Sequence, residues 1–99
     1  PAIPSTAKNI VLRHHERWDG SGYPGGLEQS EIPIDARIIA MADVYDALRS
    51  KRVYKNAFSR EKTEAIILGE RGKHFDPVLV DAFSRRRDAF DTAFTTLKD

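Results

Sequence analysis

The stretch IDARIIAMADVYDALR, residues 34–49, runs for sixteen residues without a glycine or a proline. Pro33 suits a first helical position and Asp35 suits the positive end of the helix dipole, so the stretch predicts a helix to about Arg49. Its apolar residues cover most of the circumference, which makes it the central helix of the domain. Asp43 and Asp46, three apart, share one of its faces. A carboxylate on so apolar a helix is costly to bury unless it is ion-paired or holds a cation. Arg37, Arg49 and Lys51 would serve the first option, and spacing alone leaves both open.

Upstream, Ser5 or Thr6 can cap a first helix reading AKNIVLRHHERW, residues 7–18. Ala7, Ile10, Val11, His14 and Trp18 recur at the spacing of one helical face, which puts His14 inward and His15 about 100° round from it. Gly20, Gly22, Pro24, Gly25 and Gly26 then forbid a helix, so residues 19–32 read as a structured loop. Downstream, 51–58 is a basic irregular connector. Ser59 can cap a third helix to about Arg71, stopped by Gly72, and Asp76-Pro77 can open a last helix running toward Leu97. In that helix Val80, Phe83, Phe90, Phe94 and Leu97 form a stripe interrupted only by Arg87, either packed on the domain or free to pair with another helix. The pattern is helical throughout, which predicts a single all-α domain of about four helices over residues 1–99.

Composition narrows the function. With 40% hydrophobic and 31% charged residues and a net charge of +1, the chain has the make-up of a soluble globular domain and lacks the basic excess of a dedicated nucleic-acid binder. There is no cysteine, which excludes disulfides and thiolate metal sites, so any metal must be held by His, carboxylates and water. No run approaches the roughly 18 apolar residues of a membrane span, and a cytoplasmic location is the expectation.

Within those bounds the reactive residues are few. A lone inward histidine is ordinarily a hydrogen-bonded core residue. Two adjacent ones can reach two metals about 4 Å apart, the separation of two-metal hydrolytic sites. His14, His15 and Asp43 would make two imidazoles and a carboxylate, a set that suits Fe, Mn, Zn or Ni. The glycine loop reads as a phosphate nest or a plain turn; it lacks the lysine and spacing of a P-loop and follows no strand. Arg52 and Lys55 can clamp phosphate oxygens or simply face solvent.

Taken together, HHERWDGSGYPGGL at 14–27, IPIDARIIAMADVYDAL at 32–48, RVYK at 52–55 and GKHFDP at 72–77 resemble the HD-GYP family of bacterial metal-dependent cyclic di-GMP phosphodiesterases. The resemblance covers the chain from about Leu12 to Phe83. It implies an all-helical HD-type bundle with two or three divalent metal ions, Fe, Mn or similar, held in part by His14, His15 and Asp43. It further implies substrate contacts from Gly22, Tyr23 and Pro24 of the G-Y-P loop and from Arg52 and Lys55. Asp46 is expected behind the ligands, orienting one of them or a basic group.

Two departures matter. Val53 stands where the family commonly has proline, which should loosen the connector carrying Arg52 and Lys55. The name-giving His-Asp pair occurs nowhere in the chain. The expectation is therefore the C-terminal half of an HD-GYP domain, inactive or nearly so alone and weak or empty in metal. Loss of the upstream half should bare apolar surface on the first and central helices, for self-association or pairing with that half. Two further readings compete with the cyclic di-GMP enzyme. One is a catalytically inactive interaction module that binds a protein such as a diguanylate cyclase domain. The other is an HD-superfamily phosphohydrolase of a different nucleotide.

Overall fold

The computed structural model describes residues 5–51 and 53–97. The side chains of Ser5 and Thr6, expected to cap the first helix, lie outside the described residues, as does Arg52. The described residues form five helices and no strand: α1 (Ser5–Arg13), α2 (Ile34–Arg49), α3 (Arg60–Gly69), α4 (Pro77–Arg85) and α5 (Arg87–Leu97), with a single 3-10 turn at Gln29–Glu31. Each α-helix packs on the next in order. The expected all-α architecture is present, and no described helix is long and apolar enough to cross a membrane.

The central position of α2 follows from its buried face, Ala36, Ala40, Met41 and Tyr45, at the spacing of one side of a helix. Met41 and Tyr45 join Ile67, Phe75, Val80 and Phe83 in the core. Part of its remaining surface is open. Ile34 and Ile38 are about half exposed, as is Leu12 on α1, and Val11 is 71% exposed.

Two local signals act as the sequence predicts. Ser59 Oγ accepts the Lys62 N–H at the start of α3. Asp76 Oδ1 accepts the Val78 N–H at the start of α4, with Pro77 in the first turn. Gly72, expected to stop α3, instead lies in the turn beyond it, at φ 76° with its N–H donating to the Phe75 carbonyl. The helix itself stops at Gly69, two residues before the expected Arg71, because the Phe75 N–H folds back onto the Glu70 carbonyl.

Two expectations are corrected. The first helix ends at Arg13, not Trp18: the Glu16 N–H takes the Arg13 carbonyl in a tight turn, so His14, His15 and Trp18 lie off the helix and Val11 faces solvent. The last helix is two. Arg86, at φ −122° and ψ 26°, breaks it, and the aromatic stripe is the physical reason. On a straight helix Phe83 and Phe90 would be about 10.5 Å apart along the axis. The break brings their rings to 4.8 Å, edge to face, and sets Phe83, Phe90 and Phe94 at 5.8, 5.4 and 6.3 Å around the Tyr45 ring. The stripe is thus packed as far as Phe94, whereas Leu97 is 80% exposed. Arg49 closes this end, donating to Tyr45 Oη and Asp91 and lying 4.7 Å over the Phe94 ring.

Candidate functional site

A cleft between the turn after α1, the glycine loop and α2 is lined by His14, His15, Arg17, Gly22, Tyr23 and Asp43, and by His74. The residues come from four segments of the chain, the fourth being the 70–76 turn that carries His74. Because α1 stops at Arg13, the two histidines sit in a turn with ring centroids 3.9 Å apart and planes tilted by 42°. His14 Nδ1 lies 2.5 Å from the Ile10 carbonyl oxygen. A carbonyl only accepts, so Nδ1 carries a proton in this contact and Nε2 is the nitrogen left free of it. Asp43 is exposed on the third turn of α2 and makes no hydrogen bond or ion pair among the described residues. The ion-pair alternative therefore falls for this residue: Arg37 pairs with Asp76 and Arg49 with Asp91 instead.

The glycine loop is held against the histidine turn. A Cβ on Gly22 would lie 2.4 Å from the His15 carbonyl oxygen and 2.5 Å from the Arg17 nitrogen, so backbone approaches backbone where no side chain fits. The Tyr23 N–H donates to the same His15 carbonyl, and the Tyr23 ring stacks on the His15 ring at 4.8 Å, 14° from parallel. Ser21 donates to Asp19 through both its N–H and its hydroxyl, which holds the Asp19 carboxyl below its usual range. The Trp18 and Asp19 N–H groups donate to the His74 and Lys73 carbonyls, strapping this turn to the 70–76 turn.

Of the residues singled out from sequence, His14, His15, Gly22, Tyr23 and Asp43 meet in the cleft. Of the others, Arg52 lies outside the described residues, and Pro24, Lys55 and Asp46 do not line it. Pro24 is exposed in the loop. Lys55 donates to the Asn56 carbonyl and lies 4.6 Å over the Phe58 ring. Asp46 lines a separate apolar groove between α2 and α5, with Tyr45, Phe90 and Phe94, where its carboxylate accepts the Ser50 hydroxyl. Three residues escaped sequence reasoning. Glu16 is 2% exposed and accepts hydrogen bonds from the loop. Arg17 lines the cleft, pairs with Glu70 at 3.1 Å and keeps a buried Nε–H without an acceptor among the described residues. His74 stacks on Phe75, and burial, helped by the Arg17 charge, holds its pKa below the ordinary 6.5. Glu16 and Arg17 stood within HHERWDG and His74 within GKHFDP, so the motifs marked their positions without their roles.

These donors fit a metal in kind but not in number. Two imidazoles and an unpaired carboxylate face one cleft, yet among the described residues no three His, Cys, Asp or Glu side chains converge closely enough to hold an ion. A closed site would need further ligands.

Comparison with known proteins gives the family. The HD domain family model matches residues 2–79. A cyclic di-GMP phosphodiesterase of Vibrio cholerae serotype O1 is 52% identical over 94% of this chain and 19% of its own length. A cyclic di-GMP phosphodiesterase response regulator of Xanthomonas campestris pv. campestris is 55% identical over 79% of this chain and 21% of its own. A 3'3'-cGAMP-specific phosphodiesterase of Vibrio cholerae serotype O1 is 44% identical over 98% of the chain and 19% of its own. The chain thus spans about a fifth of the length of these relatives. On the match over 2–79 and the identity to these relatives, the chain belongs to the HD domain family, in its HD-GYP branch.

Proposed function

We propose that this chain forms part of a cytoplasmic, metal-dependent phosphodiesterase that hydrolyses cyclic di-GMP, with His14, His15 and Asp43 as its share of the metal ligands. The observation that carries the reading is their meeting, with the G-Y-P loop, in one cleft of a chain about half identical to two cyclic di-GMP phosphodiesterases. Two or three divalent ions, of the Fe or Mn type, would supply Lewis acidity toward a phosphoryl oxygen.

The chain's own residues do the rest. The Ile10 carbonyl fixes the His14 tautomer that offers Nε2 as a donor. Gly22 and Tyr23 wall the cleft beside His15, with Pro24 next in the loop. Arg52 and Lys55, on the connector after α2, are the expected clamp for the substrate phosphates, and Asp46 a supporting carboxylate one turn beyond Asp43. The remaining ligands come from outside these 99 residues, as the coverage of only a fifth of each relative supports. The exposed Val11, Leu12, Ile34 and Ile38 support pairing with that remainder or with a second copy.

The test uses the longer protein that carries this sequence. His14→Ala, His15→Ala and Asp43→Ala should each abolish cyclic di-GMP hydrolysis and lower the bound metal, with helical content unchanged. Full turnover in any two of the three would sink the assignment. The similarity to a 3'3'-cGAMP-specific enzyme over 98% of the chain supports a second reading of the substrate, and assaying both dinucleotides separates the two.

A further inference from the structure

Glu16 is a buried carboxylate that the proposed ligand set does not use. Its side chain is wholly shielded from solvent, a costly place for a charge unless hydrogen bonds replace the lost water. Three donors do so. The Gly25 N–H reaches Oε2 at 2.9 Å, the Leu27 N–H reaches Oε1 at 3.0 Å, and Arg13 Nη1 reaches Oε2 at 3.1 Å. The two backbone donors lie nine and eleven residues on, at the far side of the G-Y-P turn, so the carboxylate closes that loop onto its own root. The fit is tight, since a Cβ on Gly25 would come within 2.8 Å of Arg13 Nη1 and 3.2 Å of Glu16 Oε2. What the closed loop presents is Tyr23, whose ring lies flat on the imidazole of His15.

We infer that Glu16 is a positioning residue for His15: by pinning Gly25 and Leu27 it holds the Tyr23 ring against the imidazole and so sets the direction in which His15 offers its nitrogen. The inference deepens the metal reading of the cleft and rests on it for its consequence, though not for its geometry. His14 has its carbonyl partner on Ile10; His15 is oriented by a stacked ring instead.

The discriminating variant is Glu16→Gln, which keeps size and one acceptor oxygen but turns an N–H toward a backbone N–H. Hydrogen exchange on the full chain should show the Gly25 and Leu27 amides exchanging about 10-fold faster or more, with Val80 and Phe83 unchanged. The His15 ring protons should lose the ring-current shift imposed by Tyr23. Tyr23→Ala, a second variant that does not touch the pin, should reproduce the His15 change with Gly25 and Leu27 still protected. Titration of the longer protein with Mn²⁺ alone should show both variants weakened about 10-fold. Exchange that accelerates equally in the core, or a His15–Tyr23 ring stack that survives Glu16→Gln, would overturn the inference. Both variants binding Mn²⁺ as tightly as the unaltered protein would also overturn it. Absence of Mn²⁺ binding by the unaltered protein strikes the metal reading instead, and the ring shifts still decide the positioning.

Discussion

Replacing Asp76 by Ala removes two interactions at once, and the structure allows them to be separated. Asp76 is 5% exposed; Oδ1 caps α4 through the Val78 N–H at 2.9 Å, and Oδ2 pairs with Arg37 Nη1 at 2.6 Å. Loss of the cap costs about 1 kcal/mol. Loss of the carboxylate strands the Arg37 guanidinium, which keeps only its bond to the Ile32 carbonyl and its place 5.9 Å over the Trp18 ring. Breaking a fully buried pair costs about 3–5 kcal/mol, and the 18% exposure of Arg37 lowers that to about 2–3. Asp76→Ala should therefore lose about 3–4 kcal/mol, a large part of the ~5–15 kcal/mol of a typical domain. In urea, with a slope near ~2 kcal/mol/M, the midpoint should fall by about 1.5–2 M at unchanged slope. Asn caps as well as Asp, so Asp76→Asn should retain the cap and lose only the ion-pair share, about 1 kcal/mol less than the Ala variant. Adding Arg37→Met to Asp76→Ala should recover stability, because the stranded charge leaves with its partner. An Asp76→Ala loss under about 1 kcal/mol, or no recovery in the double variant, would refute the reasoning. The effect should reach the cleft, since the 70–76 turn that Asp76 ends is the one strapped to Trp18 and Asp19.

Gly22→Ala must push the His15 carbonyl and the Arg17 nitrogen away from the new Cβ, at about 1–3 kcal/mol, and NMR should show the Tyr23 ring parted from the His15 imidazole while the α4 core stays intact. Phe83, 1% exposed and packed edge-on against Tyr45 and Phe90, should cost about 3–5 kcal/mol on truncation to Ala, measured by urea unfolding; a loss below about 1 kcal/mol contradicts its place in the core. His74 titrates below 6.5 in the folded chain, so the unfolded chain binds its proton first. Its contribution is complete above about pH 6.5 and is lost as the pH falls through the folded value. Unfolding measured between about pH 7 and 5 should show this decline, and His74→Gln should flatten it.

The elements that were legible in the sequence are those whose signals lie within a few residues. Ser59 and Asp76-Pro77 start helices because an oxygen beside the first turn satisfies an N–H that nothing else reaches, and Gly72 marks the turn beyond α3 because it can take a positive φ. The unbroken run from Ile34 to Arg49 needs no partner to be read as a helix. His14, His15 and Asp43 were legible as a group through the ordered motifs, since nothing in their spacing required α1 and α2 to meet.

The sequence by itself thus determined the helical class, the start of three helices and the identity of the donors facing the cleft. The tertiary structure decided where α1 stops, because the Glu16 carboxylate serves the glycine loop, and where the last helix breaks, because three phenylalanines gather on one tyrosine. It also brought Arg17 and His74 into the cleft with the histidines, while Asp46 lines a separate groove and Lys55 lies over the Phe58 ring. A cap or a turn is an interaction between neighbours in the chain; a cleft is an interaction between elements up to about sixty residues apart, and only packing sets which side chains of each element meet.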